Sequence, residues 1–456
     1  MEPRSVAVVG ASEREGSFGG QVLRNLLAAP GVEVFAVNPR AEQVFGVPCF
    51  ASIDELPGAV DLVAICVPSG AVASVAEDAL RRGIPAALIY SSGFAELRGD
   101  EGAALQEALR DIAARGLRIM GPNCLGLVNA RARVEMQFVP GFGHALMPGE
   151  IGFVTQSGGL GLSLLQGQFD GVAGSFWAGP GNSCDVDPLD LAAYMLEDEH
   201  TRVVVIAIEM TAERDRLLQL GRRARAVRKP VLVHKMARQE RGPRFARAHT
   251  GSDAGLLDRF ERDVLDAGMV LIEHFDDIKP TADLIARMPL ATTGGVGILS
   301  GSGGAAILAA DEADAHGVEL PSMSEVSRER LRKLLPPFAT VDNPSDLTSE
   351  ATRSLEMFEL CLTVFESEPS FDAVLVVFSA FTGQSTIDRA ALLAERARRS
   401  DQEKPLGVVW LSEWTTNDAY RILHESREIM LFRSFRTAMT AVRSWQDARQ
   451  TLGEPA

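Results

Sequence analysis

The stretch Ile151-Gly152-Phe153-Val154-Thr155-Gln156-Ser157-Gly158-Gly159 is echoed further along the chain by Val296-Gly297-Ile298-Leu299-Ser300-Gly301-Ser302-Gly303-Gly304. Each copy runs from an apolar, β-branched segment straight into Ser-Gly-Gly, which predicts a buried strand, a tight turn and a following helix. Such a turn leaves backbone N–H groups unpaired and presents the positive end of a helix at the carboxyl edge of the strand, an arrangement suited to an anion. Glycines there also let a helix pack closely on its strand. Their recurrence at matching positions favours a shared anion-binding role for Ser157, Gly158 and Gly159 and for Ser302, Gly303 and Gly304.

Outward from these two stretches, short β-branched runs alternate with longer amphipathic ones along the whole chain. This is the pattern of parallel strands joined by crossover helices, so the fold class is α/β. Buried strands are predicted at 6–9, 33–37, 62–67, 87–90, 151–155, 203–208, 231–234, 296–299, 373–378 and 406–410. Helices are predicted at 20–29, 102–115, 187–197, 213–227, 304–316, 325–335 and 434–448. Gly- and Pro-rich segments at 140–149 and 289–295 mark two boundaries. Three units are expected, at 1–145, 146–290 and 291–456, the second and third resembling duplicated copies. The 456 residues agree with that count at about 150 per domain.

Composition narrows the function classes. There are 45 basic against 61 acidic residues, a net charge of −16, which argues against a surface built to neutralise nucleic-acid phosphates or anionic lipid. Hydrophobic residues at 46% and charged ones at 23% exclude a disordered or fibrous chain. Cys49, Cys66, Cys124, Cys184 and Cys361 are scattered and odd in number, fitting neither a disulfide framework nor a zinc ribbon. No metal site is expected in this chain, and a reducing compartment is. The amino terminus enters a strand at once with no signal-like segment, and no apolar run reaches the roughly 18 residues of a membrane helix. A cytoplasmic protein is expected.

The first unit opens Val6-Ala7-Val8-Val9-Gly10-Ala11-Ser12, with further glycines at Gly16, Gly19 and Gly20, a strand, turn and helix suited to nucleotide phosphates. The spacing is not Gly-x-Gly-x-x-Gly, and the second strand ends Val37-Asn38-Pro39-Arg40 without the acid that holds a dinucleotide ribose. NAD, and with it an oxidoreductase reading, is disfavoured. Arg40 instead supplies a cation suited to a ribose phosphate such as coenzyme A carries.

With Gly10-Ala11-Ser12, Asn38-Pro39-Arg40, Val67-Pro68, Ser92-Gly93-Phe94-Ala95-Glu96 and Gly121-Pro122-Asn123-Cys124-Leu125-Gly126, the first unit resembles the CoA-binding domain of the nucleoside-diphosphate-forming acyl-CoA synthetases. That group contains ADP-forming acetyl-CoA synthetase and succinyl-CoA synthetase. The resemblance continues through Gln156-Ser157-Gly158-Gly159, Gly179-Pro180-Gly181-Asn182, Ile208-Glu209, Lys235, His249-Thr250-Gly251-Ser252 and Asn343-Pro344-Ser345-Asp346-Leu347, in the domain order of an α subunit. It implies a Rossmann-like CoA-binding domain followed by two flavodoxin-like domains. It implies CoA contacts from Gly10, Ala11, Ser12, Asn38, Pro39, Arg40, Val67, Pro68, Ser92, Gly93 and Asn123.

Of seven histidines, His249 alone lies in a small-residue, glycine-bounded segment. The resemblance makes it the histidine that becomes phosphorylated, and Glu209 the carboxylate that accepts a hydrogen bond from its ring and sets its tautomer. The Ser-Gly-Gly turns would then stabilise phosphate. Asp253 beside the segment His249-Thr250-Gly251-Ser252 and Met210 after Glu209 depart from the family pattern. The function implied is the α-type subunit of an acid:CoA ligase, in which ATP phosphorylates His249, phosphohistidine phosphorylates a small carboxylic acid, and the CoA thiol attacks the acyl phosphate. ATP or ADP and Mg²⁺ are expected on a separate ATP-grasp, β-type subunit, in a hetero- or homo-oligomer with no nucleic-acid or membrane partner. The alternative is a non-catalytic CoA- or acyl-CoA-binding regulator of the same fold. The identity of the acid is not encoded in any motif.

Overall fold

The computed structural model describes residues 1–97, 99–209, 212–238, 257–348, 354–379, 383–399, 402 and 404–452. They divide into two compact units, Met1–Gln168 with Ala173–Leu271, and Phe169–Val172 with Ile272–Ala456. The described strands form three sheets, the first two in the first unit and the third in the second.

The first sheet contains β1 (Ser5–Val9), β2 (Glu33–Val37), β3 (Gln43–Val44), β4 (Val47–Phe50), β5 (Leu62–Ile65), β6 (Ala86–Ile89) and β7 (Arg118–Met120), in the order β3-β4-β2-β1-β5-β6-β7. All its pairs are parallel except β3 with β4. Helices cover both faces, which is why β1 and β5 are buried at every residue and read as unbroken apolar runs instead of alternating ones. With β3 set aside the order is that of a Rossmann-like sheet, and the direction of winding reverses beside β1.

The second sheet contains β8 (Gly126–Asn129), β9 (Val134–Gln137), β10 (Ile151–Thr155), β11 (Gly174–Gly179), β12 (Val203–Ile208), β13 (Val231–Lys235) and β14 (Val270–Ile272), ordered β14-β13-β12-β10-β11-β8-β9. Counted from β10, its first five strands lie in the order 2-1-3-4-5 of flavodoxin-like sheets. The third sheet repeats that order with β15 (Gly295–Ser300), β16 (Ser345–Asp346), β17 (Phe371–Phe378), β18 (Leu406–Trp410) and β19 (Met430–Phe432), arranged β16-β15-β17-β18-β19 and parallel throughout. The echoed stretches are thus the first strands of two sheets with one topology.

The antiparallel hairpin of β8 and β9 belongs to the second sheet although its residues precede the expected boundary at 145. It also serves the first sheet: Asn25, on the helix Phe18–Leu27, donates from Nδ2 to the carbonyls of Gln137 (2.8 Å) and Val139 (2.9 Å), and the Tyr90 hydroxyl donates to that of Met136 (3.0 Å). One apolar cluster accordingly runs from Val6 and Leu23 through Met136 to Phe176 and Ile206. The five cysteines are free, and no helix among the described residues is long and apolar enough to cross a membrane.

Candidate functional site

A cleft of about 870 Å³ opens at the carboxyl ends of β1, β2 and β5, where the first sheet reverses its winding. Its walls include Gly10, Ser12, Asn38, Arg40, Val67 and Pro68, so residues from three separate sequence motifs meet there. Gly10 has φ +90°, and a Cβ on it would lie 2.5 Å from the Cys66 carbonyl oxygen. The turn therefore presses directly on the end of β5. Gly19 and Gly20 bring the next helix under the turn: a Cβ on either would fall 2.4 Å from the Gly10 oxygen or 2.1 Å from the Ser12 oxygen. Ser17 caps that helix by accepting from the Gly20 N–H (3.1 Å), and Gly16, Ser17 and Phe18 bring its amino terminus to the cleft.

Asn38 stands where a dinucleotide-binding protein carries an acid, and its side chain is a tie between loops. Its Nδ2 donates to the Ala11 carbonyl (2.8 Å) and its Oδ1 accepts from the Arg40 N–H (3.0 Å). Pro39 and Arg40 are exposed, and Ala11 is fully buried beneath the turn. Among the described residues the Arg40 guanidinium makes no ion pair, and neither does that of Arg14, a second cleft residue that motif reading passed over. The signal for Arg14 lay in its place inside the glycine-bounded turn.

Ser92, Gly93 and Asn123 do not line this cleft. Gly93 and Asn123 belong to a separate polar network, in which Glu96 accepts from the Gly93 N–H (2.6 Å) and from Asn182 Nδ2 (2.5 Å), while Asn123 donates to Asn182 Oδ1 (3.3 Å). Burial pushes the Glu96 carboxyl upward, but these donors outweigh it and hold the group below the ordinary range. Asn182 follows β11, so the network ties the first sheet to the second.

At the carboxyl edge of the second sheet the predicted Ser157-Gly158-Gly159 turn opens the helix Gly158–Leu165. A Cβ on Gly158 would lie 2.6 Å from that of Leu125, whereas Gly159 has open space. Glu209 directly follows β12 beside this turn, buried, with its N–H donating to the Gln156 side-chain oxygen (2.6 Å). Its carbonyl oxygen accepts from Lys235 Nζ at the end of β13. Burial pushes the Lys235 ammonium down to about 8, against the upward pull of the Glu209 charge. His249 and the segment around it lie outside the described residues.

In the second unit, Ser302-Gly303-Gly304 opens the helix Gly303–Ala315 at the carboxyl end of β15. A Cβ on Gly303 would lie 2.9 Å from the Asp346 carboxylate. Asn343 of the same motif has a framing role: it donates to the carbonyls of Val296 (2.9 Å) and Pro321 (3.0 Å) and accepts from the Ile298 N–H (2.9 Å). Among the described residues no cluster of three or more His, Cys, Asp or Glu could hold a metal ion.

Residues 4–130 match the model of a CoA binding domain, and residues 148–285 that of a succinyl-CoA ligase like flavodoxin domain. The chain is 29% identical over 430 residues to the α subunit of ADP-forming acetate–CoA ligase II from Pyrococcus furiosus, covering 93% of this chain and 92% of that one. It is 32% identical to ADP-forming acetate–CoA ligase I from Archaeoglobus fulgidus, where 85% of this chain spans only about half of the relative, 56% of its length. Among solved structures, dinucleotide forming acetyl-coenzyme A synthetase 1 of Ca. Korarchaeum cryptofilum, in complex with phosphate and ADP, superposes with a TM-score of 0.89 at 28% identity, over 99% of this chain and 97% of that one. Domain order and sheet topology agree with these likenesses: the chain belongs to the nucleoside-diphosphate-forming acyl-CoA synthetase superfamily.

Proposed function

We propose that this chain is the α-type part of an acid:CoA ligase of the ADP-forming kind, with nucleotide and Mg²⁺ held by a separate ATP-grasp subunit. The observation that carries the reading is its nearly end-to-end match to the α subunit of an ADP-forming acetate–CoA ligase. CoA is assigned to the cleft of the first sheet. The turn after Gly10, at Ala11 and Ser12, and the helix amino terminus behind Ser17 offer N–H groups to its diphosphate, and Arg40 offers a cation to its ribose phosphate.

His249 is assigned as the phosphoryl carrier. A neutral imidazole nitrogen attacks the terminal phosphorus of the nucleoside triphosphate and releases the diphosphate. An oxygen of the acid substrate then takes the phosphoryl group, freeing the histidine and forming an acyl phosphate. Attack of the CoA sulfur on the acyl carbon forms the thioester and expels phosphate. Glu209 orients the imidazole, and the Ser157-Gly158-Gly159 turn beside it receives the phosphate.

Phosphohistidine is acid-labile, so the test is mass spectrometry under alkaline conditions after the chain is incubated with acetyl-CoA and phosphate, or with a β-type subunit and ATP. Label on His249, and its loss together with turnover in His249→Asn, is the expected outcome. Full turnover by His249→Asn with label on another histidine would refute the assignment. CoA binding by a chain that never phosphorylates with any partner or acid would establish the regulator instead.

A further inference from the structure

Lys235 is a buried cation that the proposed reaction leaves without a task. It is 1% exposed at the end of β13, in register with Ile208 of β12. Its Nζ donates to the carbonyl oxygens of Glu209 and Met236, the second at 2.8 Å. Taking an ammonium out of water costs several kcal/mol unless its donors are well placed, and a methionine would fill the same space at no such cost. The charged groups facing it are Glu209, directly after the neighbouring strand, and Arg238, which is itself paired at 2.7 Å with Glu261 of the helix Leu257–Asp266.

The peptide groups of Glu209 are held from two sides. Gln156, 7% exposed and next to Ser157, accepts the Glu209 N–H at 2.6 Å, while Lys235 takes its carbonyl. Both partners are buried side chains from other strands, and both act on the one residue whose carboxylate must meet the histidine ring. We propose that Lys235 and Gln156 form a clamp on the Glu209 main chain and are positioning residues for its carboxylate, fixing the angle at which it receives the imidazole N–H during phosphoryl transfer. The inference rests on the functional reading above. It adds two buried side chains, each bonded to the Glu209 main chain, to the residues that set the rate of histidine phosphorylation.

The test uses the full chain with its β-type partner and compares Lys235→Met, Lys235→Arg, Gln156→Leu and Glu209→Gln. Lys235→Met should lower the rate of His249 phosphorylation at least tenfold while CoA affinity stays within twofold, because the cleft is on the other sheet. Combined with Glu209→Gln it should add less than a further twofold, since both changes remove one function. Lys235→Arg should recover at least a third of the rate. In the wild type the rate should fall as pH rises through about 8, because the ammonium loses the charge that strengthens its bonds. Lys235→Arg stays charged and should hold its rate flat there.

A Lys235→Met protein that phosphorylates at the wild-type rate, or whose defect multiplies with that of Glu209→Gln, overturns the proposal. If Lys235→Met does not fold, the pH profile of Lys235→Arg and the rate of Gln156→Leu decide in the same way. A wild-type protein that forms no phosphohistidine refutes the functional reading itself, an outcome distinct from unchanged variants.

Discussion

Replacing Gly10 by alanine separates the geometry of the nucleotide turn from the general cost of a left-handed residue. At φ +90° a side chain costs about 1–2 kcal/mol in backbone strain alone. The new Cβ would also lie 2.5 Å from the Cys66 oxygen and 3.0 Å from its carbon, both main-chain atoms that move only if β5 moves. Overpacking of that kind costs about 1–3 kcal/mol, so Gly10→Ala should cost about 2–5 kcal/mol against a stability on the order of 5–15. Gly31 is the control: φ is +77°, but a Cβ meets nothing within 4 Å, and Gly31→Ala should cost only the strain, about 1–2 kcal/mol. Urea unfolding followed by circular dichroism measures both, and calorimetry measures CoA. Pushing the turn off β5 moves Ser12 and the N–H groups at the cleft, so Gly10→Ala should bind CoA at least tenfold more weakly, about 1.4 kcal/mol, while Gly31→Ala binds it normally. Equal stability losses and equal CoA affinity in the two variants would show that contact with β5 does not shape the site.

Arg40→Ala should weaken CoA about tenfold but dephospho-CoA less than twofold, with the difference shrinking at high salt; calorimetry with the two ligands decides, and equal losses would remove Arg40 from the ribose phosphate. Glu368 is fully buried, and although burial raises its carboxyl, the hydroxyls of Ser327 and Ser324 and the N–H groups of Ser370 and Ser324 bring it down to about 2. Because that lies below the ordinary value of about 4.3, its stabilisation is complete above that pH and disappears as pH falls toward 2. Glu368→Gln should therefore cost about 1–3 kcal/mol at pH 7, and its melting temperature should converge on the wild type's as pH is lowered from about 4 toward about 2.

Where a strand is buried on both faces, its residue types announce it. The runs at β1, β10, β12, β15 and β18 are of this kind, and the shared Ser-Gly-Gly ending makes the kinship of the second and third sheets visible in the sequence itself. The β8–β9 hairpin was hidden because Asn129, Glu135 and Gln137 are polar and yet buried, which breaks the apolar signature. Their burial is satisfied by partners far from the local pattern: Glu135 accepts from the N–H groups of Phe142 and Gly143 (2.8 Å each) and from Gln137 Nε2 (3.0 Å). The site divides the same way. Gly10, Ser12 and Arg40 are legible because glycine turns and strand-end cations have local causes. The ties of Asn38 to Ala11, Glu96 to Asn182 and Lys235 to Glu209 exist only once separate strands are neighbours.

The duplication also makes the two Ser-Gly-Gly turns comparable, and their surroundings differ. A helix amino terminus favours a negative group by about 0.3–1 kcal/mol, and up to about 2 where it is partly buried. At the turn of the second unit the Asp346 carboxylate stands next to Gly303, its Oδ1 accepting from the Thr348 N–H (2.9 Å). An incoming phosphate there would meet a fixed anion of like sign and would have to displace or neutralise it. At the turn of the first unit the close neighbour of Gly158 is the apolar Leu125, and Gln156, one residue ahead of Ser157, is bonded to the Glu209 main chain. The turn at Ser157 is therefore joined to the residue assigned to orient the histidine. On electrostatic grounds the two proposed phosphate turns differ: at Ser157, Gly158 and Gly159 the close neighbour is apolar, while at Ser302, Gly303 and Gly304 a carboxylate of the same chain stands near the helix amino terminus.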